Sequence, residues 1–405
     1  MTTAQKFLLL TCLYFSQGVP FGFFTQALPV LMRERGASLP EIGLTSLLAL
    51  PWALKFLWAP LVDRYGVDAI GRRKSWILFL QLAGAVLFVV LGLLSDQHGY
   101  GYLVWGFFLA NLISATQDIA SDGLAVSLLS DRERGPGNGL QVAGYRLGMV
   151  FGGGFVLIFF GALEWLGAFA AMALALVLAT LPTFYYSEPA AAVDRMSSSS
   201  REMLLELFQR PGFPRWLLLI SFYKFGDALA TTQILRPFLV DRGLGLEEIG
   251  RLLGTVGFLG GLLGALAGGF LLRYTGRYGG IALFGIIQAA AVFGYFLLSR
   301  GWFDSALLYP LCGLEHFTGG MATAALFTAM MDVCRPASGS TDYTLQASFV
   351  VIATGSAGAL GGFTAEYWGY TGNFLLSGCL SLAAALIFAV IFRRRLSLKE
   401  PLRLE

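Results

Sequence analysis

Charge is what this chain has least of. Only 13% of its residues are Asp, Glu, Lys or Arg, against roughly 25% in an ordinary soluble domain. With 56% hydrophobic residues, that shortage places the chain among membrane proteins. The net charge of +3 is too small to point to nucleic acid. Cysteine is scarce as well. Cys12, Cys312, Cys334 and Cys379 show no paired spacing and no C-x-x-C, so neither a disulfide framework nor a metal site is indicated. Histidine is reduced to His98 and His316. The G-x-x-x-x-G-K-[S/T] phosphate loop is missing, which argues against ATP as the energy source. The apolar run Phe7 to Met32 is longer than the core of a signal peptide and has no clear cleavage site. No cofactor is implied.

What the chain has instead is long apolar runs. A membrane span needs about 20 such residues. Twelve runs qualify, at 6–32, 40–61, 75–95, 101–127, 138–161, 164–186, 214–239, 246–270, 279–299, 304–332, 345–364 and 372–392. The expected fold is therefore an all-α polytopic membrane protein of twelve transmembrane helices. With the N-terminus inside, the inner segments hold nineteen of the 28 basic residues, among them Arg72, Arg73, Lys74 and Arg393–Arg395. The outer segments hold six. The excess of Lys and Arg inside puts both termini in the cytoplasm.

The two halves echo each other. Leu39-Pro40-Glu41-Ile42-Gly43 recurs as Leu246-Glu247-Glu248-Ile249-Gly250, Arg64-Tyr65 as Arg273-Tyr274, and Leu140-Gln141 as Leu345-Gln346. Three echoes at nearly one offset argue for two six-helix halves, 1–186 and 214–405, a repeat that transporters use to place a site at the midplane. Between them, 187–213 carries Ser199-x-x-Glu202, a capping-box pattern, ahead of an amphipathic segment, Met203–Phe208, read as a short linker helix on the inner membrane surface. Small residues at a spacing of four let helix backbones approach. Such seams are Gly144, Gly148 and Gly152; Gly260, Gly264 and Gly268; and Gly358 and Gly362.

The charges that do occur inside spans are the most informative residues. Ionisable side chains in hydrocarbon are expensive and mark functional sites by default. In span 4, Asn111, Ser114, Asp118, Ser121 and Asp122 share one polar face. Lys55 in span 2 and Arg146 in span 5 fall at similar depth. In the second half, Lys224 and Asp227 are one turn apart in span 7, and Glu315 and His316 sit inside span 10. Asp118, Asp122, Asp227 and Glu315 are the proton-coupling candidates. Glu315 shows no partner in the local sequence, which makes it the leading one of the second half. Tyr14, Gln17, Gln26, Lys55, Tyr145, Arg146, Tyr223, Lys224 and His316 are the candidates for solute binding. Amides, aromatics and three basic residues suit a bulky solute with an anionic group.

The segment Ala59-Pro60-Leu61-Val62-Asp63-Arg64-Tyr65-Gly66, followed by Gly71-Arg72-Arg73-Lys74, resembles the loop 2–3 signature of the major facilitator superfamily. The resemblance implies a cytoplasmic gate at Asp63, Arg64, Arg72 and Arg73. The second copy has Leu272 where Asp63 sits. Lys55-Phe56-Leu57-Trp58-Ala59-Pro60-Leu61, Ser114-Ala115-Thr116-Gln117-Asp118-Ile119 with Asp122, and Gly144-Tyr145-Arg146-Leu147-Gly148-Met149 look like the AmpG-type muropeptide permeases. Their branch also contains acetyl-CoA transporters and bacterial siderophore permeases. The resemblance implies a secondary importer in the bacterial inner membrane, working by alternating access as a monomer. Its partners would be a muropeptide- or siderophore-like solute and a proton, with sodium left open as the coupling ion. The alternatives are a proton-coupled exporter of drugs or metabolites and an acyl-CoA transporter. A membrane enzyme is the least supported reading.

Overall fold

A computed structural model describes residues 1–34, 45–94, 100–188, 200–301, 305–396 and 401–403. The first copy of the Leu-x-Glu-Ile-Gly echo, His98 and Ser199 of the capping box lie outside the described residues. Among the described residues the structure is all helix, without strands.

Six stretches are long and apolar enough to cross a membrane. Three of them, Asp131–Tyr185, Glu248–Ser299 and Pro336–Ile391, run 55, 52 and 56 residues. A straight helix of that length would extend roughly 80 Å, more than twice the hydrocarbon core of a bilayer. Each is broken by one residue with non-helical backbone: Glu164 (φ 52°, ψ −166°), Gly276 (φ 71°, ψ 176°) and Gly369 (φ 66°, ψ 175°). This conformation is nearly confined to glycine because a Cβ crowds the neighbouring carbonyl. Two pairs of left-handed residues share one interval. Gly71 and Gly276 are 205 residues apart, and so are Glu164 and Gly369. The sequence echoes repeat at a similar interval.

Glu164 is thus a non-glycine residue in a glycine conformation. Such strain is worth of order 1–3 kcal/mol. Glu164→Gly is expected to raise the melting temperature in detergent, and Gly369→Ala to lower it. Equal melting temperatures for all three chains would show that the backbone relaxes freely at both breaks.

The chain packs as two units. Unit 1 comprises Met1–Leu129, Ala143–Glu206 and Cys334–Ser348; unit 2 comprises Ser130–Val142, Leu207–Val333 and Phe349–Glu405. In unit 1, α1 (Thr3–Gly22) runs through Pro20 into a wide turn, Phe23–Ala27, and continues as α2 (Leu28–Glu34). Two short helices follow, α3 (Leu50–Leu54) and α4 (Ala59–Arg64), each with a proline in its first turn, where the missing N–H is not needed. Then come α5 (Arg72–Leu94) and α6 (Tyr100–Leu128). The helix α7 (Asp131–Met149) contributes its C-terminal part to this unit, and α8 (Val156–Tyr185) completes the bundle. Its core centres on Phe23, Phe88, Phe107, Phe169 and Trp165. The linker helix α9 spans Ser200–Gln209, with Met203 and Leu207 buried and Leu205 and Phe208 exposed.

Unit 2 contains α10 (Phe213–Tyr223), α11 (Phe225–Thr231), α12 (Leu235–Asp241), α13 (Leu246–Arg251), α14 (Phe258–Ser299), α15 (Leu308–Val333) and most of α16 (Gly339–Ile391). Its main core gathers Phe238, Leu252, Val292, Tyr295 and Phe374.

Two of the three glycine seams lie at helix contacts. A Cβ at Gly144, Gly148 or Gly152 would stand 2.7, 2.1 or 1.9 Å from the carbonyl oxygens of Thr11, Phe15 and Val19 on α1. Gly260, Gly264 and Gly268 lie equally close to the backbone of Gly313, Phe317 and Met321 on α15. The third seam is corrected in part: a Cβ at Gly358 would stand 2.9 Å from the Thr232 side chain, as a seam requires, but Gly362 is not at a contact. Nothing lies within 4 Å of a Cβ at Gly362, whereas one at Gly361 would meet the Leu229 carbonyl at 2.5 Å. One residue along a helix rotates the position by about 100°, so only one of the pair faces the neighbour.

Candidate functional site

In unit 1, the polar face of α6 meets the broken region between α3 and α4. The helix tightens at Lys55–Leu57, and this places the Lys55 ammonium on the Asp118 carboxylate. The same nitrogen is 3.7 Å from Asp122 Oδ2. The Tyr14 hydroxyl donates to Asp122 Oδ1 at 2.7 Å. All four side chains are buried. One ammonium thus faces two carboxylates, the second of which also carries a phenol, in surroundings where an unpaired charge is heavily penalised.

Around this cluster, the Trp52 indole donates to Asn111 Oδ1 at 2.8 Å. Phe21, Trp52 and Tyr145 form a group of rings with centroids 5.6–6.2 Å apart. Lys55 Nζ is 5.6 Å from the Trp52 ring, within cation–π range. A second polar knot joins Ser16 to Gln81 and Gln117 at 2.9 and 3.0 Å. Gln17 is fully buried, and neither of its amide atoms has a hydrogen-bond partner. Arg146 is half-exposed near the end of α7, and Gln26 is exposed in the turn after α1.

The loop before α5 gives a clasp within the same unit. Asp63 is buried and accepts hydrogen bonds from the Thr341 amide at 2.7 Å and the Thr341 hydroxyl at 2.8 Å. Thr341 lies in the first turn of α16, where a carboxylate also complements the helix dipole. Arg73 reaches Asp63 at 3.4 Å, Ser340 at 3.3 Å and the Pro336 carbonyl at 3.5 Å. Arg72 donates to the Asp63 backbone carbonyl. Beside this clasp, Arg335 pairs with Asp342 at 2.8 Å and with Glu206 at 3.3 Å. Its guanidinium is held above its ordinary range, first by the hydrogen bonds it donates to Asp342. Arg64 stands apart from the other three gate candidates. It is exposed and stacks on Tyr65.

Unit 2 has its own buried ion cluster. The span-7 helix breaks at Lys224 (φ −102°, ψ 0°) between α10 and α11. The break presents Lys224 to Asp227 at 2.7 Å. On α15, His316 Nδ1 is 2.7 Å from Glu315 Oε2 and 3.0 Å from the Cys312 carbonyl. Asp227 and Glu315 are within hydrogen-bonding reach of each other. Glu315 therefore does have partners, contrary to the sequence expectation. One of them, Asp227, comes from a helix that local sequence does not connect to it. Gly319 lies among these groups: a Cβ there would be 3.2 Å from Gln288 Nε2, 3.5 Å from Glu315 Oε1 and 3.8 Å from Lys224 Nζ. The Tyr223 hydroxyl instead donates to the Ile281 carbonyl at 2.7 Å, away from this group.

A second clasp lies in unit 2. Asp332 receives Arg134 at 2.9 Å and Arg277 at 3.1 Å. The Leu402 amide also donates to it, at 3.0 Å. Asp332 thus supplies the buried acid at this clasp, while Leu272 stands where the first half has Asp63. Thr341, Asp342 and Trp52 were not among the site residues read from sequence, whereas Asp332, at the end of the run 304–332, is readable there as an acid placed to cap or gate.

Long apolar helices around buried clusters of paired charges define a membrane transporter rather than an enzyme. The chain belongs to the major facilitator superfamily, whose family model matches residues 10–345, and within it to the branch of AmpG-type permeases. It is 32% identical to the anhydromuropeptide permease of Escherichia coli K12, over 96% of this chain and 80% of the relative. It is 25% identical to putative transporter AmpG 4 of Rickettsia conorii, over 91% of this chain and 92% of the relative. Among solved structures, FucP matches with a TM-score of 0.71 at 16% identity, over 95% of this chain and 98% of FucP. The human organic anion transporter MFSD10 matches with a TM-score of 0.70 at 15% identity, over 96% and 100%. At these identities the two structures establish the fold alone.

Proposed function

We propose that the chain is a proton-driven importer of an anhydromuropeptide-like solute, with twelve spans, both termini cytoplasmic, in a bacterial inner membrane. It works by alternating access as a monomer. The observation that carries this reading is the Lys55–Asp118–Asp122 cluster, in a chain 32% identical to a permease named for that solute. One ammonium balances one carboxylate. The second carboxylate makes the cluster neutral only when it holds a proton, so proton uptake and release change the charge at a buried point. Such a change biases one conformation over another only through differential interaction. The rings of Phe21, Trp52 and Tyr145 offer apolar faces for sugar rings, and Gln17, whose amide has no hydrogen-bond partner, offers that amide for hydroxyl and peptide groups. The same relative favours a muropeptide over a siderophore or an acyl-CoA.

Alternating access assigns work to the two clasps. Asp63 with Thr341, and Asp332 with Arg134, each hold the inner end of a helix contributed by the other sequence half. Both must release for solute to reach the cytoplasm.

The test is uptake of radiolabelled anhydromuropeptide into liposomes carrying the purified protein, with the outside made acid. Accumulation above the external concentration, lost on adding a protonophore, is the expected result. Accumulation driven by a sodium gradient alone would replace the proton. Uptake of a ferric siderophore or acyl-CoA instead of anhydromuropeptide would replace the solute, and pumping against the imposed direction would make the chain an exporter.

A further inference from the structure

The cluster in unit 2 repeats the chemistry of the one in unit 1 with different residues. In unit 1, Lys55 faces Asp118 and Asp122, with the Tyr14 phenol on Asp122. Tyr145 lies within electrostatic range of Asp118, and Tyr343 of Tyr14. In unit 2, Lys224 faces Asp227, and Asp227 lies within hydrogen-bonding reach of Glu315. His316 is on the other side of Glu315, with Cys312 next to it and Tyr295 within electrostatic range. Each cluster has one lysine and two carboxylates.

Charge counting gives each cluster one exchangeable proton. Buried groups resist a net charge, and carboxylates in contact do not readily ionise together. In unit 1, Lys55 and Asp118 cancel, and neutrality requires a proton on Asp122. In unit 2, Lys224 and Asp227 cancel. The remaining pair, Glu315 and His316, is neutral with one proton between them, carried by either partner across a 2.7 Å contact. Losing it leaves one net negative charge in each cluster. Asp227 Oδ1 is buried without a hydrogen bond, so the second cluster keeps an open acceptor for a proton beside the Glu315–His316 pair.

We infer that Lys224, Asp227, Glu315 and His316 form a second proton-carrying site, separate in its residues from the first, and that one transport cycle moves two protons with each solute molecule. This rests on the proton-driven reading and extends it. A proton enters the Glu315–His316 pair from the outer side and leaves it to the cytoplasm. No bond other than that to the proton forms or breaks.

The experiment is a static-head measurement in proteoliposomes. The membrane potential is clamped at zero with potassium and valinomycin, the pH step is one unit, and the probe is radiolabelled anhydromuropeptide. Each coupled proton multiplies the accumulation ratio by ten, so two protons give about 100-fold and one gives about tenfold. The wild type is expected near 100-fold. Glu315→Gln and Asp122→Asn are each expected near tenfold, and the double variant near unity. Solute counterflow, which needs no net proton movement, checks that each variant is folded. Should Glu315→Gln fail that check, the wild-type proton-to-solute flux ratio, read with a pH electrode, and the Asp122→Asn ratio decide together. A wild-type ratio near tenfold overturns the second site and leaves the proton-driven reading in place. A ratio near unity in the wild type overturns that reading itself. A Glu315→Gln ratio still near 100-fold removes the second proton from unit 2.

Discussion

Lys55→Met is expected to destabilise the protein by about 3–5 kcal/mol, the range found when one member of a buried ion pair is removed. The Lys55 side chain is 4% exposed, and its two partners are 9% and 2% exposed. Methionine fills nearly the same volume, so packing changes little and electrostatics dominates. Asp118 would lose its ammonium, and Asp122 would keep the Tyr14 hydroxyl but no cation. The expected reading is a lower melting temperature in detergent and a lower yield of inserted protein. Adding Asp118→Asn to Lys55→Met should recover part of the loss, because the orphaned charge goes with it. Contacting groups of this kind couple by roughly 0.5–3 kcal/mol in a double-mutant cycle. Strictly additive losses would mean that Lys55 and Asp118 do not depend on each other in the folded chain.

Gly148→Val should be at least as damaging, for a steric reason. The first added carbon would stand 2.1 Å from the Phe15 carbonyl oxygen and 2.9 Å from the Gly18 Cα. Both are backbone atoms of α1, and they move only if α1 and α7 separate. Separation would also spread the neighbouring contacts of Gly144 and Gly152. Overpacking typically costs about 1–3 kcal/mol, and more where no side chain can yield. The expected outcome is a chain that fails to give a single species in size-exclusion chromatography. Gly154 is the matched control, since nothing lies within 4 Å of its added Cβ. Gly154→Ala should leave stability within about 0.5 kcal/mol of the parent. Equal behaviour of the two variants would remove the seam from the account of stability.

The sequence made some of this site visible because charge is rare in it. Lys55, Asp118 and Asp122 stand out against apolar surroundings, and spacing put the two aspartates on one helix face. Asp63 and the basic run after it were visible through a motif. What spacing within one helix does not reveal is which helices meet. Thr341 lies 278 residues from Asp63, and nothing local pairs them. The same holds for Tyr14 and Asp122, 108 residues apart, and for Asp227 and Glu315. Trp52 carried no signal, since a tryptophan in a span is ordinary until its indole is seen on Asn111. The break at Lys224 had no proline to announce it. The choice between Gly361 and Gly362 depended on a rotation that only the packed neighbour fixes.

The contacts of Leu402 bear on how the protein is handled. This residue is 1% exposed, and its amide is on Asp332, while the Arg403 amide is on the Tyr278 hydroxyl at 2.8 Å. A fluorescent reporter or affinity tag joined just beyond Arg403 would pull on a backbone that is clamped to the Arg134–Asp332–Arg277 junction. Residues 1–5, by contrast, are exposed and held by an exposed capping box at Thr2 and Gln5. A tag at that end leaves the junction undisturbed, and kinetic constants from chains tagged at opposite ends are not interchangeable.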